Sequence, residues 1–188
     1  MTTYSIALFF HLLSLLLAVA CTALSSYAAL QVRAADKADK AKQALALSAG
    51  VERLFPAAGI GLLVTGGYMA HSISGWSEPW LLASLIGLAS IVALSAGIDG
   101  RRKRALGREL HRHGFSDRAR ALLRDPVAWT AKLTGPMLLL AVMFIMTTKP
   151  TAATSAGILI LAGVAGTLSA LPFWQTPAVG NATRAEAN

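Results

Sequence analysis

The sequence predicts an all-α, polytopic transmembrane bundle with five spanning helices, and three observations carry this prediction. The 188 residues have a mean hydropathy of +0.56. Only 14% of them are charged, whereas a soluble domain carries about 25%. Long apolar runs rich in Ala and Leu alternate with short basic segments and lack the period-two pattern of strands. A bundle of membrane helices accounts for all three observations, and a β-barrel does not.

Five segments approach or exceed the length of about 20 apolar residues that a spanning helix needs. They cover residues 4–32, 51–70, 80–98, 129–148 and 154–174. We expect the first four to form a four-helix core within residues 1–150, with a basic cytoplasmic loop at 99–128. We expect residues 151–188 to add a fifth span and a short cytoplasmic tail.

The basic residues of the connections predict the orientation of the bundle. The connection after the first span, RAADKADKAKQ, contains four Lys or Arg residues, the second connection contains none, and residues 99–128 contain nine. The fourth connection has only Lys149, and the tail has Arg184. Because cytoplasmic connections are enriched in Lys and Arg, this alternation predicts an N-out, C-in protein. The same bias accounts for the net charge of +8 without nucleic-acid binding.

Two parts of the 99–128 loop are predicted to contact anionic lipid headgroups. Ser116 is a suitable N-cap, Pro126 is a stop, and Ala119, Leu122 and Leu123 share one face. This pattern predicts a short interfacial helix, with a solvated charged linker as the alternative. The predicted membrane-surface residues in the other part are Arg101, Arg102, Lys103 and Arg104.

The first span, YSIALFFHLLSLLLAVACTALSSYAAL, combines a single histidine with a seam of small residues. Steps of three or four residues from His11 reach Ser14, Ala18, Cys21, Ser25 and Ala28. Small residues let helices approach closely in lipid, and hydroxyl groups can bond across the interface. We therefore expect this seam to face protein and the Leu-rich side of the helix to face lipid.

His11 has two interpretations. A neutral imidazole that is hydrogen-bonded across a helix interface is the most economical one. A ligand role needs a partner at the same depth, for which His71 and Met69 are the candidates. No metal-binding motif is present.

Cys21, in LAVAC, loosely matches a lipidation site. The preceding MTTYS has no basic residue, so we expect an uncleaved helix, with lipidation as the alternative.

The second span begins with Glu52 and Arg53, which either pair with each other or contact headgroups. Alternatively, Arg53 binds a substrate carboxylate or phosphate from the cytoplasmic side. We expect no acidic residue in the middle of any span, which disfavours proton-coupled transport.

The small residues predicted to pack helices are Gly59, Gly61, Gly66 and Gly67 in the second span, Ala89, Ala93 and Gly97 in the third, and Ala162, Gly163 and Gly166 in the fifth.

Four motifs occur in a characteristic order: FFHLLSLLLAV, RLFPAAGIGLLVTGGYMA, EPWLL and MFIMTTKP. This order resembles a family of small predicted integral membrane proteins of bacteria, a domain of unknown function whose members look like four-helix proteins. The resemblance covers residues 4–150 and implies the bacterial inner membrane. The family is distantly similar to membrane protoporphyrinogen oxidases and to copper-resistance membrane proteins. The likeness to the oxidases implies haem binding at His11.

The residues define no reaction, and they leave open whether the protein is an enzyme. We expect an integral membrane protein whose small-residue seams pack its helices together, against a membrane partner or against a second copy. One alternative is a haem b- or copper-binding redox protein that uses His11, with His71 as the second residue, and it would be an oxidoreductase. The other alternative is a small-molecule permease, which requires a polar-lined path.

Overall fold

The computed structural model describes residues 3–35, 37–72, 75–114 and 116–174. The described chain contains no strand. Its α-helices are α1 Thr3–Ala34, α2 Ala38–Glu52, α3 Phe55–Ser72, α4 Pro79–Ala93, α5 Gly100–His113, α6 Asp117–Leu123, α7 Pro126–Thr148 and α8 Ala152–Trp174. A short 3-10 helix, Gly75–Ser77, precedes α4, and a π-helical segment, Leu94–Asp99, joins α4 to α5.

Five helical stretches are long and apolar enough to cross a membrane, which confirms the predicted class and the number of spans. They are Thr3–Ala34, Ala38–Ser72, Pro79–His113, Asp117–Thr148 and Ala152–Trp174. The second and third stretches are longer than the predicted spans because α2 and α5 continue the helices into segments predicted as connections. The N-out, C-in orientation stays a prediction, and Arg184 lies outside the described residues.

The helix boundaries follow local capping chemistry. The Ser116 hydroxyl accepts the Ala119 N–H at 3.1 Å and begins α6, as predicted. Asp125 accepts the Val127 N–H at 2.9 Å, and Pro126 occupies the first position of α7. At its other end α7 stops at Lys149, which has a left-handed conformation with φ of 49°. The short helix predicted within the 99–128 loop is therefore present, and its contact with lipid stays a prediction.

The helices pack as two groups. One group consists of α1 with α2 and α3, and the other consists of α7 with α4 and α8, together with α5, which continues α4 through the π-helical segment. The groups meet where α1 contacts α7 and where α2 contacts α5. The predicted seam of α1 is confirmed, since Ala18, Cys21, Ser25 and Ala28 are buried. The opposite side of α1 exposes Leu12, Leu13, Leu16 and Leu24, as a lipid-facing surface would.

The predicted glycine contacts are only partly correct. A Cβ atom at Gly61 would collide with Ser14, and one at Gly166 would lie 2.5 Å from the Thr134 Cα atom, so both glycines mark close helix approaches. Gly59 and Gly163 face open space instead. The stripe predicted in the third span, Ala89, Ala93 and Gly97, is also wrong: both alanines are exposed, and a Cβ at Gly97 would meet nothing within 4 Å. The buried face of α4 carries Trp80, Leu81, Ser84, Gly87 and Ile91.

A cation–π cluster joins three helices at the basic end, which we define as the end where α1 and α8 finish and α7 begins. The Arg33 guanidinium lies 5.1 Å from the centre of the Trp129 ring and 4.8 Å from that of Phe173. The two rings are stacked on each other, and the Trp129 indole donates to the Leu123 carbonyl at 3.0 Å. These contacts hold the start of α7, which carries one residue of the site described next, against α1 and α8.

Candidate functional site: an ionic network beside a cleft

The site begins with the π-helical segment Leu94–Asp99, in which hydrogen bonds skip one residue more than in an α-helix. Asp99 ends this segment, and Lys103 follows one turn later in α5. Their side chains form an ion pair, with Lys103 Nζ 2.8 Å from Asp99 Oδ2. Both side chains are largely buried, with 17% of Lys103 and 14% of Asp99 exposed. The helix therefore directs two opposite charges toward the interior of the bundle.

Two further charged residues complete what we call the ionic network, namely Glu52, Asp99, Lys103 and Lys132. Glu52, the last residue of α2, pairs with Lys103. Lys132, in the second turn of α7, lies 3.3 Å from Asp99 Oδ2 and has only 11% of its side chain exposed. The two carboxylates and two ammonium groups balance in charge. Buried ions persist only when they are paired in this way.

Two buried serines link the ions of the network. Ser25 of α1 and Ser48 of α2 donate to Glu52 Oε1 at 2.9 and 3.1 Å. Ser25 Oγ accepts a hydrogen bond from Lys132 Nζ at 2.5 Å, and Ser48 Oγ accepts one from Lys103 Nζ at 3.0 Å. The network thus connects α1, α2, α5 and α7, which belong to both groups of helices. Ionisable residues inside a membrane protein are costly and commonly functional.

A cleft of about 510 Å³ opens beside the network, between α1, α3, α4 with its π-helical extension, and α7. Its apolar walls include Ile60 and Leu63 of α3 and Ile91 and Val92 of α4. Ile60, Leu63 and Val92 are more than half exposed, so the cleft is open on the side of the bundle that faces lipid. Its polar end is formed by Ser25, Glu52, Asp99, Arg104 and Lys132.

A second, smaller cavity of about 60 Å³ lies on the other side of the network, toward the basic end. Ser48, Arg102 and Lys103 line this cavity and do not line the cleft. Asp99 and Lys132 line both spaces. The Asp99–Lys132 pair therefore forms part of the wall that separates the lipid-facing cleft from the cavity at the basic end.

The predicted site residues at the start of the second span do not act as a pair. Glu52 binds Lys103, and Arg53 is exposed at the turn between α2 and α3.

The four predicted membrane-surface residues lie in different environments. Arg102 pairs with Asp125, and Lys103 turns inward because one face of α5 packs against α2. Arg101 and Arg104 are exposed, and their contact with membrane lipid stays a prediction.

His11 packs against α3 and apart from the network. Its Nδ1 atom lies 3.0 Å from the Thr65 hydroxyl oxygen, and its ring lies against Gly66. Thr65 uses its own hydroxyl hydrogen to donate to the Gly61 carbonyl at 2.5 Å. The ring also bonds the backbone of Leu62, and the tautomer decides which ring nitrogen donates. The predicted interface hydrogen bond is thus present, although the sequence did not identify Thr65.

His71 is exposed near the end of α3, six residues beyond Thr65, which corresponds to about 9 Å along the helix. Within the described ranges, no group of three or more His, Cys, Asp or Glu residues is arranged to hold a metal ion. His71 thus lies more than one helical turn beyond Thr65, the residue that contacts His11. The role of either residue as a cofactor ligand stays a prediction.

Asp99, Lys132 and Ser48 were not predicted from the sequence as members of a site. The third span was predicted to end at Ile98, so Asp99 was assigned to the loop that follows. For the same reason, no acidic residue was expected in the middle of a span. Two signals were present: Ser48 and Glu52, like Asp99 and Lys103, are four residues apart, which places each pair on one face of a helix.

The chain matches no protein-family model, no curated protein and no solved structure. Its resemblance to a bacterial membrane-protein family therefore stays a prediction.

Proposed function

We propose that this integral membrane protein binds an amphiphilic molecule in the cleft. The observation that carries the proposal is that one space of about 510 Å³ has apolar walls and a charged end. Pockets for small molecules usually measure about 300–1,000 Å³. Of the functions that the sequence suggested, a permease for such a molecule agrees best with this cleft. The proposed setting is the bacterial inner membrane with the basic end in the cytoplasm, which the distribution of Lys and Arg supports.

The two ends of the cleft favour different parts of one ligand. An alkyl chain would cover the apolar side chains of Ile60, Leu63 and Ile91, which have no polar group to satisfy. A small polar ion would leave these walls uncovered. A wholly apolar molecule would instead cover Glu52 and Lys132 without offering them polar partners, which is costly. A molecule with a polar head and an apolar chain satisfies both ends.

Filling the cleft should remove the bound amphiphile without unfolding the bundle. Gly59 lines the cleft, and a Cβ atom there would meet nothing within 4 Å. We expect Gly59→Phe to project its ring into the cleft and to lower the amount of amphiphile that co-purifies with the protein at least several-fold. Mass spectrometry of extracts from the detergent-purified, full-length protein would measure this amount.

Gly163→Phe is the matched control. Gly163 of α8 also faces open space, but it does not line the cleft. This variant should keep the wild-type amount of bound amphiphile. Equal amounts of bound amphiphile in both variants and in the wild type, at unchanged melting temperature, would contradict a binding site in the cleft.

Haem binding is a second candidate function, favoured by the position of the His11 ring against Thr65 and Gly66. Thr65 contacts Nδ1 and orients the ring, and Nε2 is the ring atom that would ligate iron. Met69 follows Thr65 by one helical turn and lies on the same side of α3, whereas His71 is exposed. Haem would supply electron-transfer chemistry, and Thr65 would orient its histidine ligand.

Protein purified from haem-replete cells should show a Soret absorbance band if this second function is correct. Thr65→Val should then lower haem occupancy by about 10-fold or more, because the His11 ring loses the group that orients it. Thr167→Val is a suitable control, since Thr167 is exposed on α8. A colourless wild-type preparation would rule out this candidate and would leave the amphiphile proposal unaffected.

A further inference from the structure

We infer that the amphiphile in the cleft has an anionic head, a phosphate or carboxylate group, held between Arg104 and Lys132. This inference rests on the proposed function, because it names the class of ligand for the same cleft. It follows from the balance of charge at the polar end and from the hydrogen-bonding capacity that remains there.

Both carboxylates at the polar end already have cationic partners. Glu52 pairs with Lys103, and Asp99 pairs with Lys103 and Lys132. Two ammonium groups thus neutralise two carboxylates. Arg104 also lines the cleft, and none of the ion pairs found among the described residues includes it. The polar end therefore has one cation in excess.

Lys132 retains hydrogen-bonding capacity toward the cleft. An ammonium group has three N–H donors. Lys132 directs hydrogen bonds to Ser25 Oγ at 2.5 Å and to Asp99 Oδ2 at 3.3 Å. One donor is left for a ligand in the cleft that Lys132 lines. The planar Arg104 group adds a fork of N–H donors, which matches the oxygens of a phosphate or carboxylate.

A cationic or zwitterionic head fits this arrangement less well. A ligand ammonium would need a free carboxylate, and the lysines of the network already occupy Glu52 and Asp99. It would also lie close to Arg104 and would be repelled by it. An anionic head instead compensates the excess charge and accepts from both cations.

Competition between two lipids that differ only in their heads tests the inference. The full-length protein in nanodiscs would be given phosphatidylglycerol or phosphatidylcholine with identical acyl chains, and displacement of a fluorescent lipid from the cleft would be measured. We expect phosphatidylglycerol to bind about tenfold more tightly, the scale of one charge-assisted hydrogen bond. Arg104→Gln should remove most of this preference.

Arg101→Gln is the matched control, because Arg101 is an exposed residue of the same helix that does not line the cleft. It should leave the preference unchanged. An equal loss in both variants would overturn the inference, since the preference would then be a general attraction to the basic surface. Equal binding of both lipids, with both lost in Gly59→Phe, would overturn the inference and leave the proposed function intact.

Inorganic phosphate separates the two sources of an anionic group. The anionic site is supported if phosphate displaces the fluorescent lipid from the wild type and displaces it less well from Arg104→Gln. Phosphate binding that depends on Arg104 and is measured directly by calorimetry, without binding of either lipid, would retain the anionic site and overturn the amphiphile function. Binding of neither phosphate nor lipid would overturn both.

Discussion

Lys103→Met should destabilise the bundle by about 3–5 kcal/mol, the usual cost of removing one partner from a buried ion pair. Lys103 is the residue that pairs with both Glu52 and Asp99, and it also donates to Ser48. Without it, Lys132 faces two carboxylates, and one buried carboxylate loses its ion-pair partner. The free energy of unfolding, measured by SDS titration in mixed micelles, gives the effect.

Two further variants separate the network from a general effect of charge. Arg101→Met removes the same charge from an exposed neighbour on α5 and should change the unfolding free energy by less than about 0.5 kcal/mol. Lys103→Met combined with Glu52→Gln removes one charge of each sign and should recover part of the loss. Wild-type stability in Lys103→Met would show that the network does not hold these helices together.

Gly166→Leu should separate α7 from α8 and cost about 3 kcal/mol, at the upper end of the usual range for overpacking. A Cβ atom at Gly166 would lie 2.5 Å from the Thr134 Cα atom, so the obstacle is backbone that cannot change rotamer. The loss should appear as a lower melting temperature of the detergent-solubilised protein. We also expect weaker binding in the cleft, because Ala131 and Lys132, close to Thr134 on α7, line it.

Gly163→Leu provides the comparison on the same helix. A side chain at Gly163 meets nothing within 4 Å, so this variant should melt within a few degrees of the wild type. The two substitutions add the same side chain three residues apart. Equal melting temperatures for both variants would mean that α7 and α8 do not approach each other at Gly166.

The part of the fold that follows from hydropathy was predictable from the sequence. A run without charges must span lipid as a helix, because no water is present to satisfy its backbone groups. The five spans and the inward-facing seam of α1 at Ala18, Cys21, Ser25 and Ala28 follow from this constraint and from helical periodicity. The same periodicity was misleading at Ala89 and Ala93, because several faces of α4 are equally apolar.

The candidate site was only partly predictable. His11 was expected to bond across a helix interface, and it does so to Thr65. Glu52 was recognised as an ionisable residue that enters the membrane, but its partner is Lys103 and not the adjacent Arg53. Local sequence could not supply this pairing, because Lys103 is 51 residues away and reaches Glu52 only when α2 and α5 pack together.

By itself, the sequence determined the class of the protein and the number of its spans, because hydropathy acts on each segment independently. Only the tertiary structure decided which ions meet. The π-helical segment Leu94–Asp99 leads the third spanning helix into α5, so Asp99 and Lys103 face Glu52 and Lys132. The four charges come from three separate stretches of the sequence, and their energy depends on distances of a few ångströms that no single stretch contains.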